Sequence, residues 1–178
     1  MNKKTIIAFL LVLPLLLGSF YITRGASSDP DVAAAPYTHI AMHGTQWVAE
    51  TRGQLSLFKP FGWGTQVKAK AAGDQWVHIS IPLITYLEDR AQKISYVEFC
   101  AKSTNGAISK PNRIDLWAHN TRFYSKDITW PANNDINCQG APIDPPVWKQ
   151  DLGISVRLHF DNAINSITLF KAWIVLEE

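Results

Sequence analysis

The sequence predicts an all-β fold, a single antiparallel β-sandwich of jelly-roll type, preceded by an N-terminal apolar leader. Three observations predict it. From Thr38 onward, apolar and polar side chains alternate with a period of two rather than 3.6. Clusters of glycine, asparagine and aspartate separate the alternating segments, and only residues 85–92 have room for a helical turn. Many short strands at this spacing are typical of a sandwich.

The first element is the leader, residues 1–25. It begins with Lys3 and Lys4, continues with an apolar run over residues 6–22, and closes at Arg24. A basic start followed by an apolar run is typical of an export signal. The run is near the ~18 residues that a membrane-spanning helix needs, so the leader is either a cleaved signal peptide or a retained membrane anchor. Both alternatives predict an extracytoplasmic domain that is secreted, periplasmic or anchored outside the membrane, with membrane contact only through an uncleaved leader.

Residues 26–37 are small, polar and rich in proline and alanine, which predicts a linker, and residues 38–178 form the predicted domain. The chain has 17 Lys and Arg against 15 Asp and Glu; without the three basic residues of the leader, 14 face 15. No basic cluster remains in the domain sequence. The composition therefore disfavours nucleic-acid binding, which requires a high density of phosphate-neutralising charge.

Within the domain, the alternation is clearest near the end of the chain. There it places one set of side chains towards the core, namely Ile154, Val156, Leu158 and Phe160, and the other set outward, namely Ser155, Arg157 and His159. In chain order, strands are predicted at residues 47–50, 55–59, 65–70, 76–81, 94–101, 113–119, 122–128, 154–160 and 167–176. Residues 142–146 are predicted to form a stiff loop, and Trp63 is predicted to fill the core at a backbone bend.

Cys100 and Cys138 are the only cysteines. In an exported domain two cysteines favour one disulfide, with two unbridged thiols as the alternative. Two thiols are too few for a structural zinc site. His39 and His43 share a face but have no third ligand nearby in the sequence, so they are interpreted as surface histidines and no metal site or cofactor is predicted.

Four segments occur in a recognisable order: His43-Gly44, Gly62-Trp63-Gly64-Thr65, residues 76–82 (WVHISIP) and residues 152–156 (LGISV). In this pattern, HG…GWGT…WxHxxIP…LGISV, the chain resembles a family of small proteins known only as a domain of unknown function. The resemblance extends over about residues 40–176 and implies a β-sandwich. It implies no activity, because none is assigned to that family.

The outward faces of three predicted strands carry large or titratable side chains where a plain solvent face would carry serine, threonine, lysine and glutamate. These are the candidate ligand-binding residues: Trp76, His78, Asp115, Trp117, His119, Arg157 and His159. Indole rings stack on sugar rings, and charged or imidazole groups bond hydroxyls, so the pattern suits a glycan or another small polar ligand. The alternative is that a loop or the second sheet covers these faces, which would make Trp76 and Trp117 core residues.

No catalytic motif occurs in the sequence, and no pair of carboxylates is spaced for glycoside cleavage. The sequence therefore predicts an exported, non-catalytic module that binds a ligand or serves as a structural surface. The alternative function is a small hydrolase that uses the histidine-rich face for acid–base chemistry.

Overall fold

The computed structural model describes residues 37–87 and 89–178. The predicted leader, and the predicted linker except for Tyr37, lie outside the described residues. Thirteen strands account for most of the described chain: β1 (Thr38–His43), β2 (Val48–Ala49), β3 (Leu55–Phe61), β4 (Gly64–Ala69), β5 (Gly73–Ile81), β6 (Tyr86–Leu87), β7 (Arg90–Ala91), β8 (Lys93–Ser103), β9 (Lys110–Ala118), β10 (Thr121–Asp127), β11 (Ile136–Val147), β12 (Leu152–Phe160) and β13 (Ile167–Glu177). Short 3₁₀ turns occur at Gly44–Gln46 and Arg52–Gln54.

Two antiparallel sheets form a β-sandwich, as the alternation predicts. The six-stranded sheet has the order β11-β8-β13-β4-β3, and β1 also pairs with β13. The five-stranded sheet has the order β10-β9-β12-β5-β2, and β6 and β7 form a separate hairpin. Among the described residues no helix is long and apolar enough to cross a membrane.

The core contains the inward faces of strands from both sheets. Ile154, Val156, Leu158 and Phe160 are each fully buried, which confirms the predicted register of β12. Phe99 of β8 lies between two buried tryptophans, edge-on to Trp47 and stacked on Trp130. These rings fill the space between the sheets that the smaller aliphatic side chains leave.

The predicted disulfide is present. Cys138 on β11 lies directly opposite Cys100 on β8, and the two sulfurs are bonded. Within the described part of the chain β11 is the outer strand of its sheet and pairs only with β8, so the bridge fastens this edge to the rest of the sandwich.

Three local predictions are wrong. In the segment predicted as a helical turn, residues 86–87 and 90–91 pair as the β6–β7 hairpin instead. Residues 142–146 belong to β11, where the prolines are tolerated because one side of this edge strand has no partner in the sheet. Trp63 is 51% exposed and stacks on Phe61 at the β3–β4 turn, so it does not fill the core.

Gly64 at the end of that turn and Gly44 after β1 both have a packing role. β13 pairs with β4 through Leu169 and with β1 from Lys171 onward, so the ends of β1 and β4 meet on the same side of β13. A Cβ atom on Gly44 or Gly64 would lie 2.0 or 2.5 Å from backbone oxygens of β13 at this junction. The hydroxyl of Thr65 donates a hydrogen bond to the Gly44 carbonyl at 2.7 Å. The His-Gly and Gly-Trp-Gly-Thr segments therefore contact each other and β13 at one junction of the six-stranded sheet.

Candidate functional site

The outer face of the five-stranded sheet carries the candidate site. β12 lies in the centre, between β5 and β9, and Ser155 is directly opposite both His78 and Asp115. One pair further along, Arg157 is opposite Trp76 and Arg113. The segments WVHISIP and LGISV thus pair residue by residue and together form the floor of this face.

A cleft of about 220 Å³ opens on this floor. It is lined by seven residues from five strands or their ends: Glu50, Trp76, His78, Asp115, Trp117, Arg122 and Ser155. The structure therefore brings together four of the seven predicted site residues. The other three predicted residues lie outside this cleft.

Trp76 and Trp117 are half-buried on the solvent side of the sheet and are not part of the core. The alternative that these two rings are core residues is therefore wrong. The guanidinium carbon of Arg157 lies 6.0 Å from the centroid of the Trp76 ring, and that of Arg122 lies 5.9 Å from the Trp117 ring. Each indole therefore lies beside a cationic group that its π face attracts.

Asp115 lies in the wall of the cleft, and its side chain is only 3% exposed. The Ser125 hydroxyl donates to it at 2.5 Å, Arg113 Nε at 2.9 Å and Arg122 Nη1 at 3.2 Å. Burial alone would raise the pKa of Asp115, but these three hydrogen bonds outweigh burial and hold the pKa below its usual value. Its carboxylate therefore positions Arg122 rather than offering a free acceptor to a ligand.

His78 forms the opposite part of the floor. Its Nδ1 lies 2.8 Å from the Ser155 hydroxyl, which fixes the ring plane. Burial lowers the pKa of His78, and the nearby charge of Glu50 opposes this shift only in part. The imidazole is therefore neutral at neutral pH, with one ring nitrogen able to accept and the other able to donate a hydrogen bond.

Arg157 and His159 belong to an ionic cluster beside the cleft. Arg157 Nε donates to Asn112 Oδ1 at 2.8 Å and lies 3.6 Å from Asp74, which also contacts His159 Nδ1 at 2.8 Å. Asp127 lies 3.9 Å from the Arg157 guanidinium. These contacts hold both predicted residues in the cluster, and neither of them lines the cleft.

His119 is not on a strand, although the alternation predicts it there. β9 ends at Ala118, and His119 has a positive φ of 54° in the turn to β10. Its backbone N–H donates to Asp151 Oδ1 at 2.9 Å, and its ring Nδ1 lies 3.4 Å from the same carboxylate. It lines a neighbouring depression rather than the cleft.

Three lining residues were not among the sequence candidates: Glu50, Arg122 and Ser155. A signal existed for each, because the alternation that turns Trp47 and Ala49 inward turns Glu50 outward, and Ser155 faces outward by the same rule. Arg122 begins a predicted strand. The alternation along a strand gives the face of the sheet on which a residue lies, but not its neighbours on the adjacent strands. The sequence therefore did not predict that Glu50, Arg122 and Ser155 lie together.

A metal site is not supported within residues 37–87 and 89–178. The one group of potential ligands close enough together there is Glu98 with Cys100 and Cys138. The sulfurs of both cysteines are consumed by the disulfide, so neither is available as a thiolate.

The fold can now be compared with known proteins. No family model matches the chain, and no curated protein matches it. The solved structures that share this architecture include two carbohydrate-binding modules. A xylan-binding module of carbohydrate-binding family 15 is 15% identical, with a TM-score of 0.52, over 80% of this chain and 97% of that chain. A family 61 carbohydrate-binding module in complex with β-1,4-galactotriose is 9% identical, with a TM-score of 0.51, over 76% of this chain and 91% of that chain.

The likeness shows a shared fold. At these identities it extends to the two-sheet β-sandwich and not to individual site residues. The chemistry of the site therefore has to be argued from the cleft itself.

Proposed function

We propose that the domain is a non-catalytic carbohydrate-binding module and that the cleft over β5, β12 and β9 binds the sugar. The cleft between Trp76 and Trp117 carries the proposal. Indole faces stack on the C–H faces of sugar rings, while hydrogen-bonding side chains between them match the hydroxyl groups around the ring edge. The two solved structures compared above are carbohydrate-binding modules with this fold, which agrees with the proposal.

The polar groups in the cleft offer complementary hydrogen-bonding roles. Arg122 uses one nitrogen on Asp115 and, with a side chain that is 47% exposed, keeps further N–H donors for a ligand. Glu50 is exposed on the opposite side and supplies carboxylate acceptors. Sugar hydroxyls both donate and accept, so donor groups on one wall and acceptor groups on the other suit them.

The side chains of the cleft are already held before a ligand arrives. Asp115 and the Trp117 ring position Arg122, Ser155 fixes His78, and all these residues except Glu50 lie on strands. A ligand would therefore immobilise few side chains on binding, which reduces the entropic cost of association.

The test is calorimetric titration of the domain with xylohexaose and with β-1,4-galactohexaose. We expect at least one of them to bind, and we expect Trp76→Ala and Trp117→Ala to weaken that binding by tenfold or more while the domain stays folded. Trp63→Ala is the matched control, since Trp63 is 51% exposed on the six-stranded sheet, and it should bind as the wild type does. Equal losses for all three variants, or no binding by the wild type, would contradict the proposal.

A hydrolase is the second candidate, because the Ser155–His78 pair at 2.8 Å has the geometry of a nucleophile and its base. Ser155 lies in the middle of β12, between two antiparallel neighbours. The sheet ladders on both sides use the backbone N–H groups around it, so they are not free to stabilise an oxyanion. The cleft therefore supports binding better than hydrolysis.

We also propose that the domain functions outside the cytoplasm. The leader pattern of residues 1–25 supports export, and the Cys100–Cys138 disulfide suits an oxidising compartment. A reporter that is active only in the cytoplasm, fused after Glu178, should be inactive in the full chain and active when residues 1–25 are deleted. Strong activity of the full-length fusion would contradict export.

The family resemblance remains a proposal with structural support. Its four segments meet in two places: His-Gly with Gly-Trp-Gly-Thr at β13, and WVHISIP with LGISV in the floor of the cleft. We propose that proteins with this pattern share both the sheet junction and the cleft floor.

A further inference from the structure

A second depression, of about 390 Å³, adjoins the cleft, and the two share the Trp117 ring. We call it the Gly153 trough. Gly153 lies on β12 directly opposite both Trp117 and Ser80, at a position whose side chain would point out of the sheet. Because glycine has no side chain, the surface of the sheet is recessed between Ser80 and Trp117. A larger residue at position 153 would fill this recess.

The cleft and the Gly153 trough follow one another along the strands. The cleft lies over His78 and Ser155, and the trough lies over the next outward pair, Ser80 and Gly153. From Trp76, which lines the cleft, to Pro82, which lines the trough, this floor extends over six residue steps of nearly extended chain, about 20 Å. A pyranose unit is about as long as one strand spacing, about 5 Å, so the combined floor matches about four sugar units.

The trough has the same mixture of surfaces as the cleft. Trp117 and Pro82 form apolar walls, and the exposed Ser80 hydroxyl offers a hydrogen-bonding group on the floor. His119 and Asp151 form the far end, with Nδ1 of His119 at 3.4 Å from the carboxylate and side chains that are 67% and 50% exposed. Both apolar contacts and hydroxyl partners are therefore available to a ligand that passes beyond Trp117.

We propose that the Gly153 trough is a second subsite and that the module binds a linear oligosaccharide of about four units lying along β5 and β12. The inference rests on the proposed carbohydrate-binding function and specifies its ligand as a chain rather than a single sugar. Gly153 sets the chain length that the site accepts, because its missing side chain leaves the trough open.

The test is a calorimetric titration with a ladder of xylo-oligosaccharides and β-1,4-galacto-oligosaccharides, from the disaccharide to the hexasaccharide. For the series that binds, affinity should rise about tenfold from the disaccharide to the tetrasaccharide, which equals about 1.4 kcal/mol, and then level off. Gly153→Leu should remove this rise while leaving disaccharide affinity within twofold of the wild type. Its Cβ would contact Trp117 Cβ at an ordinary 3.6 Å, so the longer side chain extends into the trough.

Gly62→Leu is the control, because a Cβ at Gly62 meets nothing within 4 Å and lies on the other sheet; it should retain the full length dependence. Should Gly153→Leu fail to fold, Ser80→Phe fills the trough from β5 and should have the same effect. If the wild type binds tetrasaccharide and disaccharide equally, or a filled trough leaves the rise unchanged, this inference is wrong while the proposed function stands. If no member of either ladder binds to the wild type, both are overturned.

Discussion

Asp115 provides the sharpest test of how the cleft is held together. The sequence marks it as a ligand residue, whereas the structure makes it a buried anchor with three hydrogen-bond donors and a side chain that is 3% exposed. The substitution Asp115→Asn keeps the shape but removes the charge, and it turns an amide group towards donors such as Arg122. The fold should survive at a measurable cost in stability.

The magnitude follows from the contacts. Hydrogen bonds to a charged group contribute about 1.5–3 kcal/mol each, and the cost of burying the carboxylate offsets part of the sum. Asparagine keeps one acceptor oxygen and loses the charge, so we expect a loss of about 2–3 kcal/mol in the free energy of unfolding. Asp127→Asn is the matched control. Asp127 also faces Arg113, at 3.9 Å, but it is 78% exposed, and an exposed ion pair of this kind contributes about 0.5 kcal/mol or less.

Urea unfolding of the wild type and both variants measures these differences, and repeating it across pH tests their origin. The pKa of Asp115 is lower in the folded protein than in the unfolded chain, so its charge stabilises the fold at higher pH and the benefit is lost as the pH falls through the folded pKa. The gap between wild type and Asp115→Asn should therefore persist from pH 7 down to about pH 4 and close below it. Equal losses for the two variants, or a gap that closes by pH 5, would refute the role of Asp115 as the anchor.

Three further predictions concern the rest of the domain. The Cys100–Cys138 bridge closes a loop with a sequence separation of 38, so replacing both cysteines by serine should cost at most about 4 kcal/mol; mass spectrometry without reduction should detect no free thiol. Leu158→Ala should lower the free energy of unfolding by about 2–5 kcal/mol because Leu158 is fully buried, whereas Ser155→Ala should lower it by about 1 kcal/mol for the lost hydrogen bond to His78. Similar losses for the two variants in urea unfolding would contradict the register of β12. Burial lowers the pKa of His78, so as the pH falls the imidazole is protonated in the unfolded chain before it is protonated in the folded protein, and the wild type should lose stability below about pH 6.5. His78→Gln should lack this part of the loss. Identical pH profiles of stability for the two proteins would contradict the prediction.

The sequence by itself determined the fold class and the direction of most side chains. Side chains alternate between the two faces of a strand, so the sequence alone predicted that Leu158 faces the core and that Trp76 and Trp117 face outward. The structure agrees with all three predictions. The same local rule fails where the backbone leaves the strand. His119 lies in a turn after β9, and Trp63 projects from the β3–β4 turn next to Gly64, which packs against β13.

Only the tertiary structure decided which outward residues share a site. His78 and Ser155 are separated by 77 positions in the chain yet lie side by side, because β12 pairs with β5 on one side and with β9 on the other. Strand order depends on the packing of all strands together, so no local pattern predicts it. The pairing of β10 with β9 brought Arg122 into the cleft, where Asp115 positions it, and the pairing of β12 with its two neighbours gave Arg157 its partners outside the cleft. Alternation along each strand determines which face of the sheet a side chain lies on, whereas long-range strand pairing determines which side chains lie next to it. The binding site depends on the second, because it consists of side chains from several strands.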